Sequence, residues 1–385
     1  MKRILIILFS ALALLMAGPI YAKDYWKMSN SKLEKLASKN DVQAQYCLGY
    51  NFANGRNGTV QDYSRAAYWY SKAAAAGDGA AQFYLAVYYI EGRGIEPNPQ
   101  EGVRLFQKCI ENSHVSSDFQ FQSRINLARF YANGKYGLEK DIDKAIDLLE
   151  NASLRYFSTD CSDREFYGIR NDLLGVLYYM KGQESIEPSD YKKSSDSYVE
   201  AADDWNKFSF YNGDFAENQR KIGDSWLNAG NSLFFYNTFQ GLDDFSKVME
   251  YWRKAYNAGN RQACYNLGEL YYTGIGNMPA DEPRGIGYLD KVAGDNPRAA
   301  YFLGLHYYAK ELDFVKAFDY LNKVLANPDL TDKDVRADVL QKLSAMYRFG
   351  RGTTVNEAKA DALSAEAAKL GNPDAVRIQQ WLNQK

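Results

Sequence analysis

The chain has 385 residues, 46% of them apolar and 24% charged, a globular balance long enough for two ordinary domains or one repeat array. Its 46 basic and 48 acidic residues are scattered and leave a formal net charge of −2, which excludes a strong electrostatic footprint for nucleic acid and a polybasic membrane patch. Partners of neutral or mixed charge are expected.

Residues 1–22 read as a secretory signal peptide. Lys2 and Arg3 precede an apolar run from Ile4 to Met16, Gly18-Pro19 breaks the helix, and Ala22 offers a small residue for cleavage, although Ile20 is larger than the residue usually preferred there. The run is short for a bilayer span, no cysteine stands near the cut to make a lipoprotein, and no other long apolar segment follows. A periplasmic or secreted protein without a transmembrane segment in its mature chain is expected. Export permits disulfides among Cys47, Cys109, Cys161 and Cys264, but their spacing is irregular, and burial of Cys47, Cys109 and Cys264 as small apolar residues in helices is the simpler expectation. The two histidines, His114 and His306, lie far apart, so no metal site and no cofactor are expected.

Residues 23–43 read as an N-terminal capping helix, centred on 26–38, after which the chain repeats itself. Leu48, Leu85, Leu127, Leu174, Ile222, Leu267, Leu303 and Leu343 serve as anchors at intervals of 37, 42, 47, 48, 45, 36 and 40 residues. A small residue follows each anchor: Gly49, Ala86, Ala128, Gly175, Gly223, Gly268, Gly304 and Ser344. Four residues after each anchor stands an aromatic: Phe52, Tyr89, Tyr131, Tyr178, Trp226, Tyr271, Tyr307 and Tyr347. Anchor and aromatic share a helical face, and the small residue lets a second helix approach.

Glycines then arrive three residues after the aromatic, at Gly55, Gly92, Gly134, Gly274 and Gly350, where a helix should stop. Loops such as "EGRGI" from Glu91 therefore read as a helix end and a turn, rather than as a phosphate-binding loop, which needs a preceding strand. A second helix follows each loop, as in "DYSRAAYWYSKAAAAG" from Asp62. Repeats 1–3 occupy 44–152, repeats 6–8 occupy 261–372, and 373–385 form a C-terminal cap. Between them, 153–260 hold degenerate repeats 4–5, with insertions expected at 153–169 and 180–219, which lack clean glycine stops.

The stretches "AQYCLGYNFANG" with "DYSRAAYWYSKAAAAGD", "ACYNLGELYYTGIG", and "LSAMYRFGRGTTVNEAKADALSAEAAKLGNPDA" closely resemble the Sel1-like repeat family, relatives of the tetratricopeptide repeats. The resemblance covers nearly all of the mature chain. It implies an all-α, right-handed α-solenoid of about eight helix-turn-helix repeats with capping helices and a concave inner face.

Catalytic patterns are weak beside this scaffold. Ser29 to Lys32 is formally S-x-x-K and Ser195-Asp196-Ser197 approximates a second serine motif, but no K-T-G follows. Helix capping explains Ser29 better. Ser225 sits mid-helix without a nearby histidine. Some secreted Sel1-like proteins are associated with β-lactam binding or hydrolysis, so the resemblance offers a β-lactam-binding or cell-wall hydrolase as the alternative. That subgroup looks cysteine-rich, and this chain departs from it.

The distinctive feature is tyrosine. Positions two before, two after and five after each anchor form one helical stripe, which in the family resemblance lines the concave groove. Tyr46, Tyr50, Tyr179, Tyr265, Tyr272, Tyr301 and Tyr308 occupy seven of its 24 positions, joined by Phe83, Arg129, Arg220 and Arg348. The expectation is a non-enzymatic scaffold that binds a protein, a peptide or a polysaccharide. The principal contact is placed on Tyr265, Tyr272, Tyr301 and Tyr308, with Arg348 as a directional donor. Tyr46, Tyr50 and Phe83 form the rival site, and burial of the whole stripe as packing between neighbouring first helices is the competing reading.

Overall fold

The computed structural model describes residues 24–153, 162–212 and 215–382. The expected leader and Cys161 lie outside the described residues. Within them, ordered structure is helical apart from one isolated bridge, Ile275 with Met278. The chain divides into two units after Gly213, inside the zone read as degenerate.

In the first unit, a 3-10 turn (Tyr25–Lys27) leads into α1 (Asn30–Ala37), α2 (Val42–Asn54), α3 (Tyr63–Ala75), α4 (Gly79–Glu91) and α5 (Pro99–Glu111). It continues through α6 (Ser117–Asn133), α7 (Ile142–Glu150), α8 (Ser162–Ser185) and α9 (Pro188–Asn212). The second unit holds α10 (Phe215–Phe239), α11 (Ser246–Asn257), α12 (Arg261–Thr273), α13 (Glu282–Asp290) and α14 (Pro297–Ala309). α15 (Phe314–Ala326), α16 (Lys333–Phe349), α17 (Glu357–Lys369) and α18 (Pro373–Leu382) complete it. The N-terminal cap thus begins later than the sequence suggested, because the chain is extended at Met28 and Ser29 before α1 starts.

Local chemistry sets these bounds. Asp41, Asp62, Asp78, Asn98, Asp141, Asn260, Asp281, Asn296, Asp313, Asp332 and Asn356 each accept a backbone N–H from the first turn of the helix they cap, satisfying a donor with no partner in the helix itself. Where the anchor is followed by glycine, the partner helix presses in. An added Cβ at Gly49 would lie 2.6 Å from the Tyr70 ring, at Gly268 2.8 Å from Leu289, and at Gly304 2.7 Å from Leu321.

The loop "EGRGI" resolves into two separate jobs. Gly92 ends α4 in the left-handed region, at φ 69°, and Gly94 takes φ 65° while lying against the first turn of α3. A Cβ on Gly94 would stand 2.2 Å from the carbonyl carbon of Tyr63 and 2.4 Å from the nitrogen of Ser64, so only glycine fits. Gly352 makes the same approach to Phe314 at the start of α15. The second glycine therefore locks one repeat onto the previous one.

The region 180–219, expected to contain insertions and to lack glycine stops, is occupied by the end of α8 and by α9, which run to 24 and 25 residues. One sequence expectation is corrected: the Ile222 copy is misplaced. In α10 it is Gly230 that meets the partner helix, where a Cβ would lie 2.4 Å from Trp252, whereas at Gly223 the nearest atom is 3.3 Å away. Buried Ala229 is thus the packing anchor, two helical turns later.

Candidate functional site

The stripe divides by unit. In the first unit Tyr46, Tyr50 and Phe83 are buried. Phe83 packs against Phe106 and Phe119, with ring centres 5.6 and 5.4 Å away. Tyr46 meets Tyr70 and Tyr84 at 6.1 and 6.3 Å. Trp26, from the 3-10 turn, stands edge-on to both Tyr46 and Tyr50 at 6.0 and 5.1 Å. Arg56 lies 5.3 Å from the Tyr50 ring centre. In this conformation Phe83 is therefore core, and Tyr46 and Tyr50 are packed beneath the chain's own N-terminal segment.

In the second unit Tyr265 is also buried, and burial, together with the Glu269 carboxylate to which it hydrogen-bonds, pushes its hydroxyl up to about 12. Tyr272, Tyr301 and Tyr308 are only half-buried. The Tyr272 hydroxyl lies 2.9 Å from His306 Nδ1, and its ring stands edge-on to Phe302 at 4.8 Å. The Tyr301 hydroxyl donates to Asp338 Oδ2 at 2.8 Å, while Lys342 Nζ holds the other carboxylate oxygen at 2.8 Å. Lys342 also approaches the Tyr308 ring at 5.7 Å. Two of these tyrosines thus reach from one first helix to the next, α12 to α14 and α14 to α16. Each ring keeps part of its surface open while its hydroxyl is held.

The other stripe residues are less available. Arg348 gives Nη2 to Asp361 at 2.7 Å, so one of its donors serves α17. Arg220 is exposed but forked between Glu217 and Asp224 on its own helix. Tyr179 is half-buried against Tyr191 at 5.4 Å. The Arg129 guanidinium is held below its usual range by burial.

Sequence reasoning missed a recurrent pair. A cation stands over the aromatic four residues after the anchor in six repeats: Arg65 over Phe52, Lys144 over Tyr131, Lys193 over Tyr178, Arg284 over Tyr271, Lys316 over Tyr307 and Lys359 over Tyr347, at 3.9 to 5.2 Å. Five of these cations stand three residues after the Asp or Asn that caps the second helix, so an Asp/Asn-x-x-Lys/Arg pattern could have revealed them. Trp26 was legible only as part of a cap. His306, buried beside Tyr272, was set aside as a lone histidine.

The catalytic candidates fare poorly. Ser225 is buried in α10 and donates to the Lys221 carbonyl at 3.0 Å. Ser29 takes the N-cap position of α1 expected from the sequence, but its side chain makes no capping hydrogen bond, so the capping expectation holds for position only. Cys47, Cys109 and Cys264 are free and buried in α2, α5 and α12. Among the described residues no group of histidine, cysteine and carboxylate side chains is arranged to hold a metal ion, and no helix is long and apolar enough to cross a membrane.

Comparison with known proteins bears on the repeat. The family model described as Sel1 repeat matches residues 42–78, 79–114, 122–155, 261–293, 297–323 and 337–372, more than half of the chain. The Sel1-repeat-containing protein YjcO of Escherichia coli K12 is 30% identical over 226 residues, covering 57% of this chain and 89% of that one. An uncharacterized protein YjcO of Shigella flexneri matches over the same length at the same identity. A crystal structure of a Sel1 repeat protein from Oxalobacter formigenes superposes with a TM-score of 0.55 at 21% identity, covering 97% of this chain and 99% of the other, which establishes a common α-solenoid fold.

Proposed function

We propose a binding role that starts from an established premise: the chain belongs to the Sel1 repeat family. Sel1 repeat solenoids commonly mediate protein–protein interaction. In this reading the protein is a non-catalytic scaffold that holds an extended peptide or protein segment along the first-helix stripe of its second unit. The sequence reading of residues 1–22 places it in the periplasm or outside the cell.

The observation that carries the reading is the contrast within the stripe. Tyr46, Tyr50 and Phe83 are spent on packing, whereas Tyr272, Tyr301 and Tyr308 keep open ring surface. Tyr272 and Tyr301 are also fixed by hydroxyl bonds to the next repeat, so a ligand gains aromatic area without paying to order those rings. An extended chain suits rings placed on successive repeats better than a compact small molecule does.

The test is a selection of display-library peptides on the purified chain, followed by binding of the enriched peptide to Tyr272→Ala plus Tyr308→Ala and to Tyr68→Ala. The reading expects loss in the first variant and retention in the second. Failure to enrich any peptide, or equal binding by both variants, contradicts it.

A further inference from the structure

Trp26 shows what the first repeat accepts. The segment Asp24–Met28 lies on α2 and the residues flanking it through three kinds of contact. The Tyr25 hydroxyl donates to Asp41 Oδ2 at 3.0 Å. Trp26 sets its ring edge-on against Tyr46 and Tyr50. The Met28 carbonyl accepts from Asn57 Nδ2 at 3.4 Å. These contacts read two adjacent aromatic side chains and a backbone carbonyl two residues beyond the second, which is peptide recognition carried out on the chain itself.

The segment is held far more lightly than the helix behind it. The 3-10 turn contains no buried residue, and Trp26 is 42% exposed. α1, by contrast, is anchored by fully buried Leu33 and by Ala37, and Asn30 bonds both the Asn57 carbonyl and the Asn51 side chain. Extended backbone at Met28 and Ser29 separates the two. Lifting the turn uncovers Tyr50 and Tyr46 without undocking α1, as expected of a segment at the low end of local stability.

The geometry points to Asp24–Met28 as a displaceable internal ligand, and to the face beneath it, formed by Asp41, Tyr46, Tyr50 and Asn57, as a second binding surface for a peptide bearing adjacent aromatic residues. This rests on the peptide-binding reading but concerns the first unit, so it stands or falls separately from Tyr272 and Tyr308. When the internal segment is closed most of the time, an outside peptide binds more weakly by the fraction open; a segment open about one time in ten costs about tenfold in affinity.

The experiment uses the full chain and a fluorescein-labelled, end-blocked peptide of residues Lys23–Met28. Tyr25→Ala plus Trp26→Ala removes the internal competitor and replaces no buried side chain, and circular dichroism confirms the fold. The double variant is expected to bind the peptide saturably, at least about tenfold more tightly than the wild-type chain, and not to bind the same peptide with alanine in place of Trp26. Absence of binding to the double variant, equal affinity for the two chains, or binding indifferent to that alanine overturns the inference.

Discussion

The second glycine of the "EGRGI" loop offers the sharpest test of how the repeats are joined. Gly94→Ala combines two costs. A positive φ costs an alanine about 1 kcal/mol, and the new methyl, placed 2.2 Å from Tyr63 and 2.4 Å from Ser64 backbone atoms, must be accommodated by separating α3 from the loop. Overpacking of this kind adds about 1–3 kcal/mol, for a total of about 2–4 kcal/mol. Gly58→Ala supplies the control, since Gly58 also has positive φ, 78°, but a Cβ there would meet nothing within 4 Å. It should cost only the conformational term, about 1 kcal/mol. Urea denaturation followed by tyrosine and tryptophan fluorescence compares the two, with the slope checked for a common transition. If Gly94→Ala loses no more stability than Gly58→Ala, the loop does not lock one repeat to the last and the packing argument is wrong.

The corrected register in α10 predicts unequal costs for two glycines: Gly230→Ala should destabilise because of its 2.4 Å approach to Trp252, while Gly223→Ala, whose nearest atom is 3.3 Å away and which gains up to about 1 kcal/mol of helix propensity, should cost clearly less, as urea midpoints would reveal. Burial pushes the Cys47 and Cys109 thiols from 9.0 up to about 12, so between those values the folded chain keeps protons that the unfolded chain has lost. The stability from these thiols is therefore intact below about pH 9 and falls as pH rises toward 12, and Cys47→Ala plus Cys109→Ala should flatten that fall in urea midpoints taken at pH 8 and 10.5.

The repeat was readable because its signals are local. An anchor, a small neighbour and an aromatic one turn on lie on the same helix, and glycine at Gly55, Gly92, Gly134 and Gly350 marks the stop in the sequence itself. Where the chain lacks that punctuation the reading slipped: the lengths of α8 and α9 were not foreseen, and the Ile222 frame fitted the pattern while Gly230 made the contact. The fate of the tyrosine stripe depends on neighbours far away in sequence, and periodicity carries no such information. Trp26 folds back over buried Tyr50, whereas Tyr301 is half-buried with its hydroxyl held by Asp338 of the next repeat. The cation over the aromatic of six repeats was in plain view, but its meaning needed the second helix placed against the first.

The central claim, that the second unit presents the binding face, is tested most directly by locating a bound ligand. A selected peptide carrying a photoreactive group would be crosslinked to the full chain and the adducts mapped by mass spectrometry. The account predicts adducts on α12, α14 and α16, around Tyr272, Tyr301 and Tyr308. Adducts confined to the first unit, or spread over the second helices α13, α15 and α17, would contradict it.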